Sequence, residues 1–249
     1  MSKARFFITE KAGESVTITG PDVKHIKDVL RLGAGAVIEV VDSTPSLCEV
    51  EVEHVSRDAV TGRVLARHEP VMTAPQVYLF QGLPKAGKID VVVRQATELG
   101  VAGVTPVLTE RVVVEFESGK AEKKSIRRQK IAEEAAKQSH RLLVPKVGAP
   151  LDWESALREL AGFDQVVVFW EGERDRLLSE VLKPEAARIA LVVGPEGGLS
   201  EREIVDLKAL GAGVASMGEY TLRTETAGPI AVALTLYEYA RTRRDRRKP

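Results

Sequence analysis

From the start of the chain to Arg67, apolar and polar positions alternate over short stretches. Cys48-Glu49-Val50-Glu51-Val52-Glu53 alternates strictly, placing Cys48, Val50 and Val52 on one face of a strand and three glutamates on the other. Phe6–Ile8, Ser15–Thr19, Val37–Val41 and Val60–Ala66 read as further strands separated by Gly- or Pro-containing turns, which predicts a small β-barrel. Within it, Asp22–Leu32 has helical spacing. Val23, Ile26 and Leu30 form an apolar stripe, and Lys24, Lys27 and Arg31 a basic one suited to phosphates.

The prolines of Glu69–Pro75 interrupt both helix and strand pairing, so a junction is expected there, dividing the chain into 1–72 and 73–249. Beyond it the period changes. Apolar strands at Val77–Gln81, Gly103–Leu108, Gln165–Trp170, Ala187–Val193 and Gly213–Met217 alternate with helical stretches. Those run over Asp90–Leu99, Ser125–Leu143, Trp153–Leu160, Ser200–Leu210 and Pro229–Arg241. Such alternation predicts an α/β fold, a parallel sheet with helices on both faces. The last helix is apolar around most of its circumference and needs cover on more than one side, so a homodimer is expected.

Composition narrows the class. With 249 residues, 44% hydrophobic and 29% charged, the chain is a soluble globular protein. No apolar run approaches the ~18–20 residues that cross a bilayer, and MSKARFFITEKAG lacks the apolar core of a signal peptide. A cytoplasmic protein without membrane contact is expected. The single cysteine, Cys48, and four scattered histidines argue against an internal disulfide and against a metal site. Basic and acidic residues cancel at 36 each, but charge is segregated locally. Lys120–Arg141 carries eight Lys or Arg against three Glu, and the tail after Ala240 is basic. Such blocks serve as solvated faces or as contacts to a polyanion such as RNA.

Among the motifs, Gly82-Leu83-Pro84-Lys85-Ala86-Gly87-Lys88-Ile89 imitates a phosphate-binding loop. Ile89 stands where a magnesium-holding hydroxyl belongs, however, and Pro84 removes a backbone N–H. Lys85 and Lys88 then read as surface charges or RNA contacts. Signatures for dinucleotide binding, serine hydrolysis and zinc peptidases are missing. The informative turn is Gly194-Pro195-Glu196-Gly197-Gly198. It follows an apolar strand and precedes a helix opened by Ser200 and Glu203 at capping-box spacing. Ligands of open parallel sheets bind beyond the carboxyl ends of strands, where this turn lies. A second loop, Ser216–Gly228, mixes glycine, hydroxyls, Arg223 and Glu225 at the next strand end, so the two loops are expected to wall one pocket.

The Gly194–Gly198 turn, the Leu222-Arg223-Thr224-Glu225-Thr226-Ala227 stretch and their spacing resemble the bacterial ribosomal RNA small-subunit methyltransferase E family, uridine-N3 methyltransferases of the SPOUT superfamily. The likeness extends to Arg94–Val101, to Pro106 with Glu110-Arg111, and to Lys130–Ala135 with Gln138, Arg141 and Pro145. In the barrel it includes His25-Ile26 and Val29–Leu32. Gln129, Lys137 and Glu219-Tyr220-Thr221 depart from the family pattern. The resemblance implies an N-terminal PUA-like RNA-binding barrel and a C-terminal SPOUT domain threaded into a trefoil knot. It also implies a homodimer, S-adenosylmethionine as cofactor, and 16S ribosomal RNA of the small subunit as partner. The cofactor would lie against Val193, Gly194, Pro195, Glu196, Gly197, Gly198, Met217, Gly218, Leu222, Arg223, Thr226 and Ala227. Lys24, Lys27, Arg31, Arg128 and Arg141 would contact RNA.

The chemistry sets demands of its own. The N3 of uridine carries a proton, so a base must accept it or nearby groups must stabilise the anion spread onto the carbonyl oxygens. Arg223 is the candidate catalytic cation. Glu225 is either a base or a carboxylate that caps backbone N–H groups. Glu171 or Glu196 would favour a sulfonium charge or be surface carboxylates. A non-catalytic ribosome-binding assembly factor would share the barrel and the basic segment.

Overall fold

The computed structural model describes residues 3–69, 74–85, 87–112 and 118–245, with the side chains of 118–121 and 245 left aside. The chain divides into two compact units: Met1–Met72 with Ala136–Leu143, and Thr73–Ala135 with Val144–Pro249. The expected junction at 72/73 falls within 70–73, outside the described residues.

In the first unit, strands β1 (Arg5–Phe7), β2 (Ser15–Thr19), β3 (Val37–Val41), β4 (Leu47–Val55) and β5 (Ala59–His68) form a curled sheet in the order β1-β3-β4-β5-β2. The alternation read in β4 sets its register, because Cys48, Val50 and Val52 all enter the core with Phe6, Ile18, Ile38 and Val40. Register shifts after Glu49 and Val52 mark the irregularities that bend β4 against β5. Asp42 closes the β3–β4 turn. Its buried carboxylate accepts the N–H groups of Ala12, Thr44 and Ser46 and the Thr44 hydroxyl.

The helix expected over Asp22–Leu32 is corrected. It consists of a short α1 (Pro21–Lys24) and one π-helical turn, His25–Val29, closed by Leu30 N–H to the His25 carbonyl at 2.9 Å. A turn widened to i→i+5 rotates later residues off the stripe. Val23 and Ile26 stay buried, whereas Val29 is 65% and Leu30 37% exposed.

The second unit holds a parallel sheet of β6 (Gln76–Gly82), β7 (Gly103–Leu108), β8 (Lys146–Val147), β9 (Leu151–Asp152), β10 (Gln165–Phe169), β11 (Arg188–Val193) and β12 (Gly213–Ala215). The order is β12-β10-β11-β6-β7-β8, with β9 also on β7. The helices are α2 (Lys88–Leu99), α3 (Ser118–Gln138), α4 (Trp153–Leu160), α5 (Leu178–Val181), α6 (Glu201–Ala209) and α7 (Thr224–Asp245). The strands are apolar on both faces because both are covered. Ile189, Leu191 and Val193 of β11 join Val92, Ala132, Val181 and Val232 of α2, α3, α5 and α7, whereas Ala190 and Val192 join Ala156 of α4 and Leu207 of α6.

Most boundaries lie within two residues of expectation, and three of the differences have a visible cause. α7 begins at Thr224, so Pro229 lies inside the helix; its ring nitrogen cannot donate to the Glu225 carbonyl, and the first turn is instead closed by Thr226 and Ala227 N–H on the Arg223 carbonyl. β12 ends at Ala215, where Ser216 N–H turns to the Arg176 carbonyl. α3 ends at Gln138, not Leu143, because His140 takes a left-handed φ of +52°. The Arg5 guanidinium then donates to the His140 and Arg141 carbonyls.

Candidate active site

The Gly194–Gly198 turn leaves the carboxyl end of β11 and is shaped by close backbone contacts. A Cβ on Gly82, the last residue of neighbouring β6, would stand 2.5 Å from Pro195 Cδ and N; on Gly194 it would stand 2.9 Å from the Gly198 carbonyl carbon. Gly198 has φ +69°, and a Cβ there would strike the Glu171 carboxylate. Gly198 N–H closes the turn on the Pro195 carbonyl at 3.0 Å, and Arg111 donates to the Gly197 carbonyl at 2.9 Å. The predicted capping box is present. Ser200 Oγ accepts the Glu203 N–H, Glu203 accepts the Ser200 N–H at 2.8 Å, and the buried Glu203 also accepts Glu110 N–H at 2.8 Å.

The second loop is fixed to the first by two buried polar residues. Gln81, fully buried near the end of β6, donates through Nε2 to the Gly194 carbonyl (3.2 Å) and Thr224 Oγ1 (3.0 Å). The Thr224 hydroxyl donates to that same carbonyl at 3.0 Å. Sequence reasoning missed both residues, although a glutamine closing an otherwise apolar strand was the available signal, since a buried amide requires partners. Gly218, at φ +107°, turns the loop, and its N–H is held by Ser216 Oγ at 3.1 Å.

Between the loops lies a cavity of about 670 Å³. Of the expected cofactor residues, Val193, Gly194, Pro195, Glu196, Gly197, Gly198, Met217, Gly218, Leu222, Arg223 and Ala227 line it. Thr226 does not; it is exposed in the first turn of α7. Phe169, Trp170, Glu171, Glu173, Arg174 and the departing Glu219-Tyr220-Thr221 complete the wall, together with Lys88, Ser216 and Thr224. Its apolar side and its carboxylates provide for a flat ring and a cation in one chamber.

Glu225 lies off the cavity wall. Lys88 Nζ stands 3.1 Å from Glu225 Oε2 and 3.1 Å from Glu196 Oε1. Its own backbone N–H, opposed by some desolvation and helped by Lys88, holds the Glu225 carboxyl below its usual value, which makes it a weak base. Partial burial works against ionising Glu196, but its own N–H, Lys88 and the Lys85 N–H outweigh it and lower that carboxyl too. The bonds to Glu196 and then Glu225 raise Lys88. Lys88 is thus an ion-paired residue of the site wall, not the bare surface charge that its loop suggested.

Among the candidate RNA contacts, Lys24 at the end of α1, Lys27 in the π turn and Arg31 just after it are exposed. Arg128 is 6% exposed and lies against Asp90 of α2 at 3.5 Å, which takes it off the solvated face of α3. Burial pushes the half-buried Arg141 down to about 10. Lys120 and the tail from residue 246 lie outside the described side chains. Two departures from the family pattern have structural partners: Gln129 accepts Val147 N–H and donates to the Pro145 carbonyl, and Lys137 pairs with Asp22 at 2.6 Å. Among the described residues no group of three His, Cys, Asp or Glu is placed to hold a metal, and no helix is long and apolar enough to cross a membrane.

An RNA methyltransferase domain family matches residues 72–236, and an RNA methyltransferase PUA domain family matches residues 18–65. Ribosomal RNA small subunit methyltransferase E of Bacillus subtilis (strain 168) is 34% identical, over 89% of this chain and 90% of the relative. That of Aquifex aeolicus is 30% identical over 89% and 94%. The crystal structure of a ribosomal RNA small subunit methyltransferase E from Neisseria gonorrhoeae, bound to S-adenosyl methionine, superimposes with a TM-score of 0.82 at 26% identity, covering 94% of this chain and 96% of that one. On sequence and fold together, the chain belongs to the ribosomal RNA small subunit methyltransferase E family.

Proposed function

We propose that the protein transfers the methyl group of S-adenosylmethionine to the N3 of a uridine in 16S ribosomal RNA. The observation that carries this reading is the cavity itself, which lies at the carboxyl ends of β11, β10 and β12 and is walled by a glycine turn and the Arg223 loop. The residues fit the cofactor. Gly194, Gly197 and Gly198 let the turn pack against itself, Arg111 and Glu171 while lining the cavity, Phe169, Met217 and Leu222 offer apolar surface to a purine, and Glu171, Glu173 and Glu196 offer negative charge to its cationic end. S-adenosylmethionine supplies an electrophilic methyl group, so the protein's tasks are alignment and exclusion of water. The N3 proton is lost to solvent before the methyl group is engaged, and Arg223, exposed on the cavity rim, is positioned to stabilise the negative charge left on the uracil carbonyls. Glu225, paired with Lys88, serves the site as a cap and counter-charge.

Residues 1–72 act in this reading as the RNA-binding PUA domain and 73–249 as the methyltransferase domain, with the segment after β12 threaded as a trefoil knot. The active unit is a cytoplasmic homodimer closed over the apolar face of α7, where Ile230, Leu234 and Tyr237 are exposed. Lys24, Lys27 and Arg31 engage phosphates, while the target base is unpaired or flipped into the cavity. The test is incubation with methyl-labelled S-adenosylmethionine and unmodified small ribosomal subunits, followed by nucleoside analysis. N3-methyluridine is the expected product. Label on another nucleoside would overturn the acceptor, and binding of subunits without transfer would favour an assembly factor.

A further inference from the structure

The Gly82–Ile89 segment lacks the chemistry of a phosphate loop, yet Lys85 through its backbone and Lys88 through its side chain are tied to the Gly194–Gly198 turn. Lys88 is the first residue of α2, preceded by Gly87 at φ +73°. A cation at a helix N-terminus opposes the helix dipole and is placed there at a cost of local preference. Two carboxylates offset that cost. Its ammonium is 3.1 Å from one carboxylate oxygen in the Gly194–Gly198 turn and 3.1 Å from another in the first turn of α7. Glu196 receives in addition the Lys85 N–H at 3.2 and 3.3 Å, so the segment holds it at two points.

We propose that Lys88 is a positioning residue of the methyl-transfer site: it ties the glycine turn to the start of α7 and thereby sets affinity for S-adenosylmethionine. The inference rests on the proposed function. Both tied segments wall the cavity, and among the described residues no other charged side chain bridges them. Each carboxylate oxygen lies one ion-pair distance from the same nitrogen, so without the ammonium two like charges are left close together. Repulsion then separates the turn from the helix, and the cofactor must reorder both on binding. The same geometry excludes Lys88 as an RNA contact, since its charge is already spent on two carboxylates.

The experiment is calorimetric titration of S-adenosylmethionine into the full-length protein and its Lys88→Met, Lys88→Arg and Lys88→Met/Glu225→Gln variants, with steady-state transfer to small subunits. Lys88→Met is expected to raise Kd and the cofactor KM about tenfold while kcat stays within about twofold. Lys88→Arg should restore most of the affinity. The double variant should bind better than Lys88→Met alone, because the second substitution removes the repulsion; a merely structural lysine would give additive losses. Unchanged cofactor affinity in Lys88→Met, or weaker RNA binding with cofactor affinity intact, overturns the inference. Failure of the unsubstituted protein to bind S-adenosylmethionine would overturn the functional reading and this inference with it.

Discussion

Gly82→Ala tests whether the backbone of β6 shapes the cofactor turn. The added Cβ would stand 2.5 Å from Pro195 Cδ and N and 2.8 Å from the Gly194 carbonyl carbon, where ordinary contacts begin near 3.4 Å. Something must retreat by about 1 Å, as close-packed interiors hold no spare room. β6 cannot, because Gly82 is paired with Val107 and the next residue, Leu83, donates to the Val107 carbonyl at 2.8 Å. The turn therefore moves, and the 3.0 Å Thr224 and 3.2 Å Gln81 bonds to the Gly194 carbonyl stretch beyond hydrogen-bonding range. Overpacking of this kind costs ~1–3 kcal/mol. A central value of ~2 kcal/mol lowers Tm by roughly 4–8 °C for a domain of this size. A 1 Å displacement of a binding loop costs on the order of 100-fold in methyl transfer. Scanning calorimetry and single-turnover transfer read the two effects separately. Gly33→Ala is the control, since its Cβ meets nothing within 4 Å, and it should match the parent in both. Parent-like Tm and transfer in Gly82→Ala would show that the turn yields freely, refuting a site shaped by backbone contact.

Arg223→Ala should abolish methyl transfer while cofactor titration still reports parent-like affinity; retained transfer would remove Arg223 from the reaction. Replacing Lys24, Lys27 and Arg31 together by alanine should lower the slope of log K against log salt for small-subunit RNA by about two to three, and an unchanged slope would move the phosphate contacts elsewhere. The pH dependence of cofactor affinity follows from the ion pairs. Glu196 and Glu225 are depressed below 4.5, so their contribution is complete above that value and fades as pH falls through the folded values. Lys88 is raised above 10.5, so its contribution is complete below that value and fades above the raised one. Affinity measured across this range should be flat from about pH 5 to 10, and a step near neutrality traceable to these residues would contradict the assignment. Asp42→Ala strands three backbone N–H groups in the first unit and should lower its Tm by several degrees at ~1–3 kcal/mol, leaving cofactor binding untouched.

What was legible in the sequence was whatever repeats or stands next to itself. Period-two alternation identified β2 and β4, and apolar runs separated by helical stretches identified the parallel sheet, because each pattern reports one local environment many times over. Failures arose where a single bond or turn outranked the pattern. The π turn at His25–Val29 keeps the apolar spacing of a helix but spends an extra residue per turn, which sends Leu30 outward. α7 starts before Pro229 since the Arg223 carbonyl can close the first turn, and no propensity encodes that choice. Two-residue strands β8 and β9 and four-residue α5 are too short to carry a period.

The site divides along the same line. Its two glycine loops were legible because each is contiguous and sits at a strand end, but what joins them was not. Gln81 lies far in sequence from Gly194 and Thr224, as Lys88 does from Glu196 and Glu225, and they reach these partners because β6 and β11 are neighbours in register, Gln81 opposite Val193. That pairing turns a polar strand end into an amide between two loops and an apparent phosphate loop into an ion-pair clamp. Lys88 shows the consequence most plainly: read alone it is a loose surface cation, and read against Glu196 and Glu225 it is a fixed part of the wall. Arg128 makes the reverse point, since eight cations in one segment suggested a polyanion surface while Asp90 on α2 claims one of them for the interior. Charge counted along a chain measures what is available for binding, and the sheet order decides how much of it is already committed.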